Sequence, residues 1–300
     1  MKILLTGGTG FIGTLLSKEL ISSGHELTII SRSGTSNEKN IKFISWNQEV
    51  LQNAINNSDI VINLAGESIA KKRWTKEQKD LLYKSRIVTT QLLVNAINNS
   101  PNKPKKLIST SAVGIYGDRG DEKLTEDSSS GSGFLTNVCR DWEAEVKKAK
   151  TSIIILRLGV VLGKGGGALE KIILPFKMFV GGPLGSGNQY MSWIAVDDVI
   201  GLIKFAIENA SVSGILNVTS PNPVTNKEFS NVLGKILHRP SFMPVPDFAL
   251  KLLLGEMSEL LLSSQRVLPE RAMELGNKFR YADLEKALGH INPNLKSLLI

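Results

Sequence analysis

A glycine-rich turn near the start of the chain constrains its fold more than any other feature. The apolar run 1–6 leads directly into Gly7-Gly8-Thr9-Gly10-Phe11-Ile12-Gly13, and a helix-like stretch, 14–22, follows. We expect Gly7 to permit a tight turn, Gly10 to let the backbone approach a pyrophosphate, and Gly13 to let the helix pack on the strand. A strand, a glycine turn and a helix in this order are the context that a dinucleotide-binding turn requires.

The start of that helix is the expected place of the phosphates. Backbone N–H groups in the first turn of a helix lack partners within the helix, and they lie at the positive end of its dipole. The sequence therefore predicts cofactor contacts from Gly7, Gly10, Phe11, Ile12 and Gly13. A plain glycine-rich turn is the alternative interpretation.

The end of the second predicted strand, residues 25–30, indicates which dinucleotide binds. A site for NAD usually has Asp or Glu about 20 residues beyond the glycines, where the carboxylate binds the ribose 2′-hydroxyl. This chain has Arg32 there, between Ser31 and Ser33. Because a guanidinium can hold a 2′-phosphate that a carboxylate would repel, we expect Ser31 and Arg32 to bind NADP. A solvated loop arginine is the alternative.

Composition argues against several other classes of protein. The 300 residues are 42% hydrophobic, which is enough for a core, and no uninterrupted apolar run reaches the ~18 residues of a membrane-spanning helix. The single cysteine, Cys139, excludes an internal disulfide, and three scattered histidines give no metal-ligand spacing. Because the net charge of +8 comes from short lysine clusters, we expect no nucleic-acid partner. The lack of a membrane-length apolar run and the single cysteine lead us to expect a cytoplasmic protein without a membrane partner.

Apolar segments alternate with helical ones through the first half of the chain. This alternation predicts the α/β class, with a doubly wound parallel Rossmann sheet. Residues 158–187 contain nine glycines, which indicates long loops and a contribution to a substrate cleft from residues 158–195. We expect an NADP-binding Rossmann domain at 1–220 and a smaller C-terminal α/β lobe, covering the substrate, at 221–300.

The leucine-rich segment 247–264 allows two interpretations. An amphipathic helix for a membrane or a partner is one of them. The packed face of a small C-terminal lobe is favoured, because Gly255 interrupts the segment and charges of both signs flank it.

Several spaced motifs resemble one enzyme family over nearly the whole chain. The broad motifs are 6–13 (TGGTGFIG), Asn63-Leu64-Ala65-Gly66, Ser109-Thr110-Ser111 with Tyr116-Gly117, and Trp193-Ile194 with Asp197-Asp198-Val199. Together they resemble an atypical extended short-chain dehydrogenase/reductase, related to the sugar-nucleotide epimerases and dehydratases. A narrower set is similar to the cell-division-inhibitor-like epimerase subfamily, whose members carry a short C-terminal extension. That set is Gly66-Glu67-Ser68-Ile69, Arg73-Trp74, Ser85-Arg86, 139–143 (CRDWE) and Gly185-Ser186-Gly187.

The resemblance implies further cofactor contacts. Leu64, Ala65 and Gly66 would border the cofactor. Arg86 lies on the next predicted helix, from which a guanidinium can reach a cofactor phosphate or ribose. A surface ion pair is the equally weighted alternative for Arg86.

The catalytic pair of that family is missing here. Its members use Tyr-x-x-x-Lys, in which the lysine lowers the pKa of the tyrosine so that it can transfer a proton. Leu135 and Cys139 take these two positions. The family's serine or threonine falls four residues before Tyr116, at Ala112, so that Ser111 is one residue away. Ser111 is the catalytic candidate, and a structural hydroxyl at a strand end is the alternative.

Two functions from different classes stay open. One is an NADP-dependent oxidoreductase or epimerase-like enzyme that acts on a small polar or nucleotide-linked substrate. The other is an NADP(H)-binding regulatory or sensor protein without turnover. The missing pair favours the sensor, whereas an open glycine-rich cleft favours the enzyme, which we prefer. A homodimer is compatible with both, and no metal is expected.

Overall fold

Strands form at the short apolar runs, and helices form at the longer amphipathic segments between them. The computed structural model describes residues 1–31, 37–38 and 40–291. Its strands are β1 (Lys2–Thr6), β2 (Glu26–Ile30), β3 (Asn37–Glu38), β4 (Ile41–Ile44), β5 (Ile60–Asn63), β6 (Lys106–Ala112), β7 (Lys123–Leu124), β8 (Ser152–Leu158), β9 (Val160–Gly163), β10 (Gly166–Gly167), β11 (Tyr190–Met191), β12 (Trp193–Ala195), β13 (Gly214–Val218), β14 (Val224–Thr225) and β15 (Arg266–Val267).

The helices alternate with these strands through the first half of the chain. They are α1 (Phe11–Ser22), α2 (Gln48–Asn56), α3 (Lys76–Asn99), α4 (Phe134–Val146), α5 (Leu169–Lys177), α6 (Val196–Glu208), α7 (Asn226–Leu237), α8 (Asp247–Leu254), α9 (Glu259–Leu262), α10 (Glu270–Glu274) and α11 (Leu284–Ile291). Two 3₁₀ helices cover Val113–Tyr116 and Gly255–Ser258.

A parallel sheet forms the centre of the fold. Seven strands run parallel in the order β13-β8-β6-β5-β1-β2-β4, and β3 pairs antiparallel with β4 at one edge. The chain moves outward from β1 through β2 to β4, then returns to β5 and continues outward on the other side. This reversal leaves a crevice at the carboxyl ends of β1 and β5, where such sheets bind ligands. The predicted doubly wound Rossmann sheet is confirmed.

Helices cover both faces of the sheet with apolar side chains. On one face, Leu16 of α1 and Leu202 of α6 pack with Leu5 of the sheet. On the other face, Leu93 of α3 and Val138 of α4 belong to a second buried cluster. Because both faces are covered, the central strands are apolar throughout rather than alternating.

The C-terminal part of the chain is mainly helical and is joined to the rest by two short strand pairs. Strand β14 pairs with β11, and β15 pairs with β7. A further apolar cluster joins Phe176 of α5, Phe229 of α7 and Leu288 of α11 around Trp193. The partner strands β11 and β7 both precede residue 220. The predicted domain boundary between residues 220 and 221 stays a prediction.

The sequence of residues 141–149 predicts a helix, and the structure corrects its bounds: the helix begins at Phe134 and ends at Val146. It begins there because Gly133, with φ of 116°, ends the preceding loop. The longest apolar runs form strands and short helices. Within the described ranges, no helix is both long and apolar enough to cross a membrane.

Candidate functional site

The turn after β1 brings three glycines into close backbone contact. Gly7 has φ of 70°, and a Cβ atom there would lie 2.6 Å from the carbonyl oxygen of Leu64. A Cβ atom on Gly13 would lie 2.7 Å from Cα of Gly8. Gly10 caps α1 without a side-chain hydrogen bond, and no acidic side chain occupies the first turn. The N-terminus of α1 therefore presents backbone N–H groups and a positive dipole end to the crevice.

The side chains that follow the turn pack inside the protein. A Cβ atom on Gly163 or Gly166 would lie within 2.6 Å of the Phe11 ring, so the hairpin of β9 and β10 covers that ring closely. Ile12 packs against the core beneath α1. The predicted cofactor contacts of Phe11 and Ile12 therefore depend on their backbone N–H groups.

The end of β2 is described only in part. Ser31 is buried, and its N–H donates to the carbonyl oxygen of Ile44 at 2.9 Å. Arg32, the predicted 2′-phosphate ligand, lies outside the described residues. The roles of Ser31 and Arg32 stay predictions.

Asn63 fixes the carboxyl ends of three neighbouring strands. Its amide oxygen accepts the hydroxyl of Thr6 at 2.7 Å and the N–H of Ala65 at 3.3 Å. Its amide nitrogen donates to Thr90 at 3.1 Å and to Ser109 at 3.2 Å. Buried hydrogen bonds of this kind hold a loop in one conformation, here the loop that approaches Gly7.

Arg86 supports that loop from behind. Its guanidinium donates to the carbonyl oxygen of Glu67 at 2.9 Å and to that of Leu82 at 3.0 Å. A Cβ atom on Gly66 would lie 3.2 Å from Cζ of Arg86. Burial lowers the pKa of Arg86. Arg86 is thus a positioning residue for the loop, while a direct cofactor contact stays a prediction.

Ser111 lies in a buried network of charges. Its hydroxyl donates to Oε1 of Glu143 at 2.8 Å, and Arg157 holds the two carboxylate oxygens at 2.8 and 2.9 Å. Arg157 also donates to the hydroxyl of Tyr116 at 2.8 Å. Only 2% of Ser111 is exposed. The proton of Ser111 is committed to Glu143, which favours the structural alternative, and its catalytic role stays a prediction.

Helix α4 carries Leu135 and Cys139, at the two positions where the family has its tyrosine and lysine. A Cβ atom on Gly114 would lie 3.2 Å from Cβ of Leu135 and 4.0 Å from Sγ of Cys139. Burial, and then the charge of Glu143, raises the pKa of Cys139 to about 11. A thiol with this pKa stays protonated near neutral pH, so it is a poor base and a poor nucleophile.

Comparison with known families identifies the sheet and the segment that follows it. The profile of the NAD-dependent epimerase/dehydratase family matches residues 3–219, and that of DUF1731, a domain of unknown function, matches residues 245–291. The chain belongs to the NAD-dependent epimerase/dehydratase family. The resemblance found in the sequence, including the C-terminal extension, is confirmed.

Relatives in the epimerase family match over nearly their whole length. The chloroplastic SDR39U1 homolog of Arabidopsis thaliana, an epimerase family protein, is 44% identical over 298 residues, covering 96% of this chain and 86% of the relative. The epimerase family protein YfhF of Bacillus subtilis is 41% identical over 305 residues, covering 99% and 100%. The crystal structure of human SDR39U1 (isoform 2) with NADPH has a TM-score of 0.90 and 36% identity, covering 98% of this chain and 100% of that one.

The C-terminal extension, residues 245–291, contacts the loop that follows β5 and the start of α3. Arg73 donates to the carbonyl oxygen of Leu252 at 3.4 Å, and Lys79 forms an ion pair with Glu256. Trp74 donates its indole N–H to the carbonyl oxygen of Ile69 at 2.9 Å. One loop thus touches the glycine turn at one end and the extension at the other.

Glu259 is a titratable residue that the sequence analysis missed. Its Oε1 would lie 2.9 Å from a Cβ atom on Gly133, at the start of α4. Burial, and then the charge of Glu256, raises the pKa of Glu259. No local sequence signal marks this residue, because the approach of α9 to α4 is a tertiary contact. Among the described residues, no group of three His, Cys, Asp or Glu could hold a metal ion.

Proposed function

We propose that this protein is an NADP-dependent oxidoreductase or epimerase-like enzyme that acts on a small polar or nucleotide-linked substrate. The observation that carries the proposal is the glycine turn at the reversal of strand order, with an uncapped helix N-terminus that is free of acidic side chains. The NADPH found in the human relative supports the choice of cofactor.

The residues on both sides of the crevice fit a dinucleotide. Gly7 and Gly13 are places where a Cβ atom would collide with the backbone, so the turn stays tight enough for N–H groups to reach a pyrophosphate. We assign the pyrophosphate to the N–H groups around Gly10, Phe11, Ile12 and Gly13. The backbone of residues 64–66 would lie along the cofactor, and Arg86 would hold this backbone in place. When bound, NADP(H) accepts or supplies the hydride.

Proton transfer needs a group other than the family's pair. Helix α4 offers Leu135 and a protonated Cys139 at those positions, and the hydroxyl of Ser111 already donates to Glu143. The carboxyl group of Glu259 approaches Gly133, two residues before Leu135, and burial raises the pKa of this group. We therefore propose Glu259, or a group on the substrate, as the proton donor.

The test is a titration of the purified protein with NADPH and with NADH, followed by nicotinamide fluorescence. We expect tighter binding of NADPH, and we expect Arg32→Ala to weaken NADPH by about 10- to 100-fold, because one charge-assisted contact is lost. Lys18→Ala removes the same charge from an exposed position on α1 and should leave both affinities unchanged. Equal losses of NADPH and NADH in Arg32→Ala would contradict the assignment.

Turnover is measured separately, with NADPH and a panel of carbonyl compounds and nucleotide-linked sugars. Substrate-dependent oxidation of NADPH supports the enzyme. Tight NADPH binding without any turnover across the panel would instead favour a sensor. Sedimentation of the same samples measures whether the protein forms the homodimer that we also propose.

A further inference from the structure

Helix α8 leaves half of its apolar side chains in solvent. Of its residues, Leu250 alone is buried. The exposed fractions of Phe248, Leu252 and Leu253 are 73%, 77% and 65%. The preferred interpretation of segment 247–264, a packed face of the C-terminal lobe, holds for Leu250 but not for these three side chains.

A second group of exposed apolar residues lies beside α8, at the end of α5. The segment that leads into α8 packs on the segment that follows α5. The N–H of Val245 donates to the carbonyl oxygen of Pro183 at 2.9 Å, and a Cβ atom on Gly185 would collide with Oδ1 of Asp247, the first residue of α8. The guanidinium of Arg239 lies 4.4 Å from the centre of the Phe179 ring. We call the combined surface the apolar face, and its exposed members are Leu174, Met178, Phe179, Val180, Phe242, Met243, Phe248, Leu252 and Leu253.

A surface of this extent is uncommon on a protein that has no partner. Single exposed leucines are ordinary, whereas a contiguous group of large apolar side chains marks an interaction site. Three of the nine residues are phenylalanines, which suit the boundary between lipid headgroups and acyl chains.

The charges around the apolar face are mainly positive. Segments 169–185 and 239–255 contain four basic residues, Lys171, Lys177, Arg239 and Lys251, against two acidic ones, Glu170 and Asp247. The three lysines are exposed. Lysines beside an apolar surface attract the phosphates of an anionic lipid layer, where each contributes through its charge.

We infer that the apolar face docks the protein peripherally on an anionic lipid surface. The helix would lie in the plane of the interface, which agrees with the lack of a spanning helix among the described residues. This inference departs from the expectation of no membrane partner, which rested on the lack of an apolar run long enough to span a membrane. It does not depend on the proposed enzyme activity.

Charge favours lipid over a second copy of the chain as the occupant. In a two-fold dimer the same patch forms both sides of the interface. Two copies of the apolar face would bring Lys171, Lys177 and Lys251 of each copy towards those of the other. Lipid phosphates instead neutralise these lysines while the acyl region receives the phenylalanines and leucines.

The test uses co-sedimentation of the full-length protein with vesicles made from equal parts of phosphatidylcholine and phosphatidylglycerol. We expect the triple variant Phe248→Ser, Leu252→Ser, Leu253→Ser to lower the partition coefficient by about tenfold or more. The matched control is Leu81→Ser, Val88→Ser, Leu92→Ser, which changes three exposed apolar residues on α3 and should bind as the unchanged protein does.

A second variant tests the charge contribution without changing any apolar residue. Lys171→Gln, Lys177→Gln, Lys251→Gln should weaken binding to the anionic vesicles, and added salt should do the same. Far-ultraviolet circular dichroism shows whether the serine variant folds. If it does not fold, the glutamine variant still tests the inference. We expect much weaker binding of the unchanged protein to vesicles of phosphatidylcholine alone.

Three outcomes would overturn the inference. The first is no binding of the unchanged protein to the anionic vesicles. The second is equal loss of binding in the α8 variant and in the α3 control. The third is a dimer of the unchanged protein that binds no vesicles and that the α8 substitutions dissociate, as measured by analytical ultracentrifugation. That result would make the apolar face an interface between copies of the chain.

Discussion

Replacing Arg157 with methionine is expected to destabilise the fold by about 3–5 kcal/mol, because the carboxylate of Glu143 would stay buried without its counter-charge. The two side chains are 7% and 3% exposed, and their atoms lie 2.8 Å apart. The hydroxyl of Tyr116 would also lose the hydrogen bond that Arg157 donates to it. Urea denaturation followed by circular dichroism measures the change in the free energy of unfolding.

Two controls separate burial from simple loss of an ion pair. Lys235→Met breaks an ion pair of the same 2.8 Å length with Glu285, but both side chains are exposed, so the expected loss is below about 1 kcal/mol. The double variant Glu143→Gln, Arg157→Met removes both charges and should recover part of the stability. If Arg157→Met lowers the free energy of unfolding no more than Lys235→Met does, the buried ion pair does not stabilise the fold.

Replacing Gly13 with alanine is expected to lower the affinity for NADPH by about 100-fold, or about 2.7 kcal/mol. The new Cβ atom would lie 2.7 Å from Cα of Gly8 and closer still to the carbonyl oxygen of Gly7. Because both neighbours are backbone atoms, the turn must open, and the first N–H groups of α1 leave the positions that a pyrophosphate requires. Fluorescence titration with NADPH measures the loss.

Gly201→Ala is the matched control. Gly201 lies within α6, and a Cβ atom there meets nothing within 4 Å. Alanine stabilises a helix relative to glycine by up to about 1 kcal/mol, so this variant should melt at the same or a slightly higher temperature. Because the new Cβ atom meets no neighbour, the variant should bind NADPH normally. Normal binding of NADPH by Gly13→Ala would refute the role of the tight turn.

The part of the structure that depends on local pattern could be predicted from the sequence. The glycine spacing, with a strand before it and a helix after it, is visible in the first 22 residues, and the apolar runs mark the strands of a parallel sheet. Strand order also follows, because doubly wound sheets reverse after the first of their two βαβαβ halves. The glycine turn is a local feature: Gly7 has the positive φ and Gly13 the close backbone contact expected of them, while their contacts with the cofactor stay predictions.

The contacts that depend on distant segments could not be predicted. Ser111, Glu143 and Arg157 are separated by 32 and 14 residues, and no local pattern joins them. The leucines of α8 have the spacing of a packed helix, yet periodicity does not reveal whether a neighbouring element covers them. Glu259 and Gly133 lie far apart along the chain for the same reason.

The loop after β5 joins the glycine turn to the C-terminal segment, two regions that we propose bind different ligands. Leu64 packs against Gly7 at one end of the loop, and Arg73 holds Leu252 at the other. If a dinucleotide shifts this loop so that the C-terminal segment binds its own ligand more tightly, that ligand must strengthen dinucleotide binding by the same factor. In that case a molecule bound by the C-terminal segment is an effector of cofactor affinity, and the coupling can be measured by titrating the protein with either ligand.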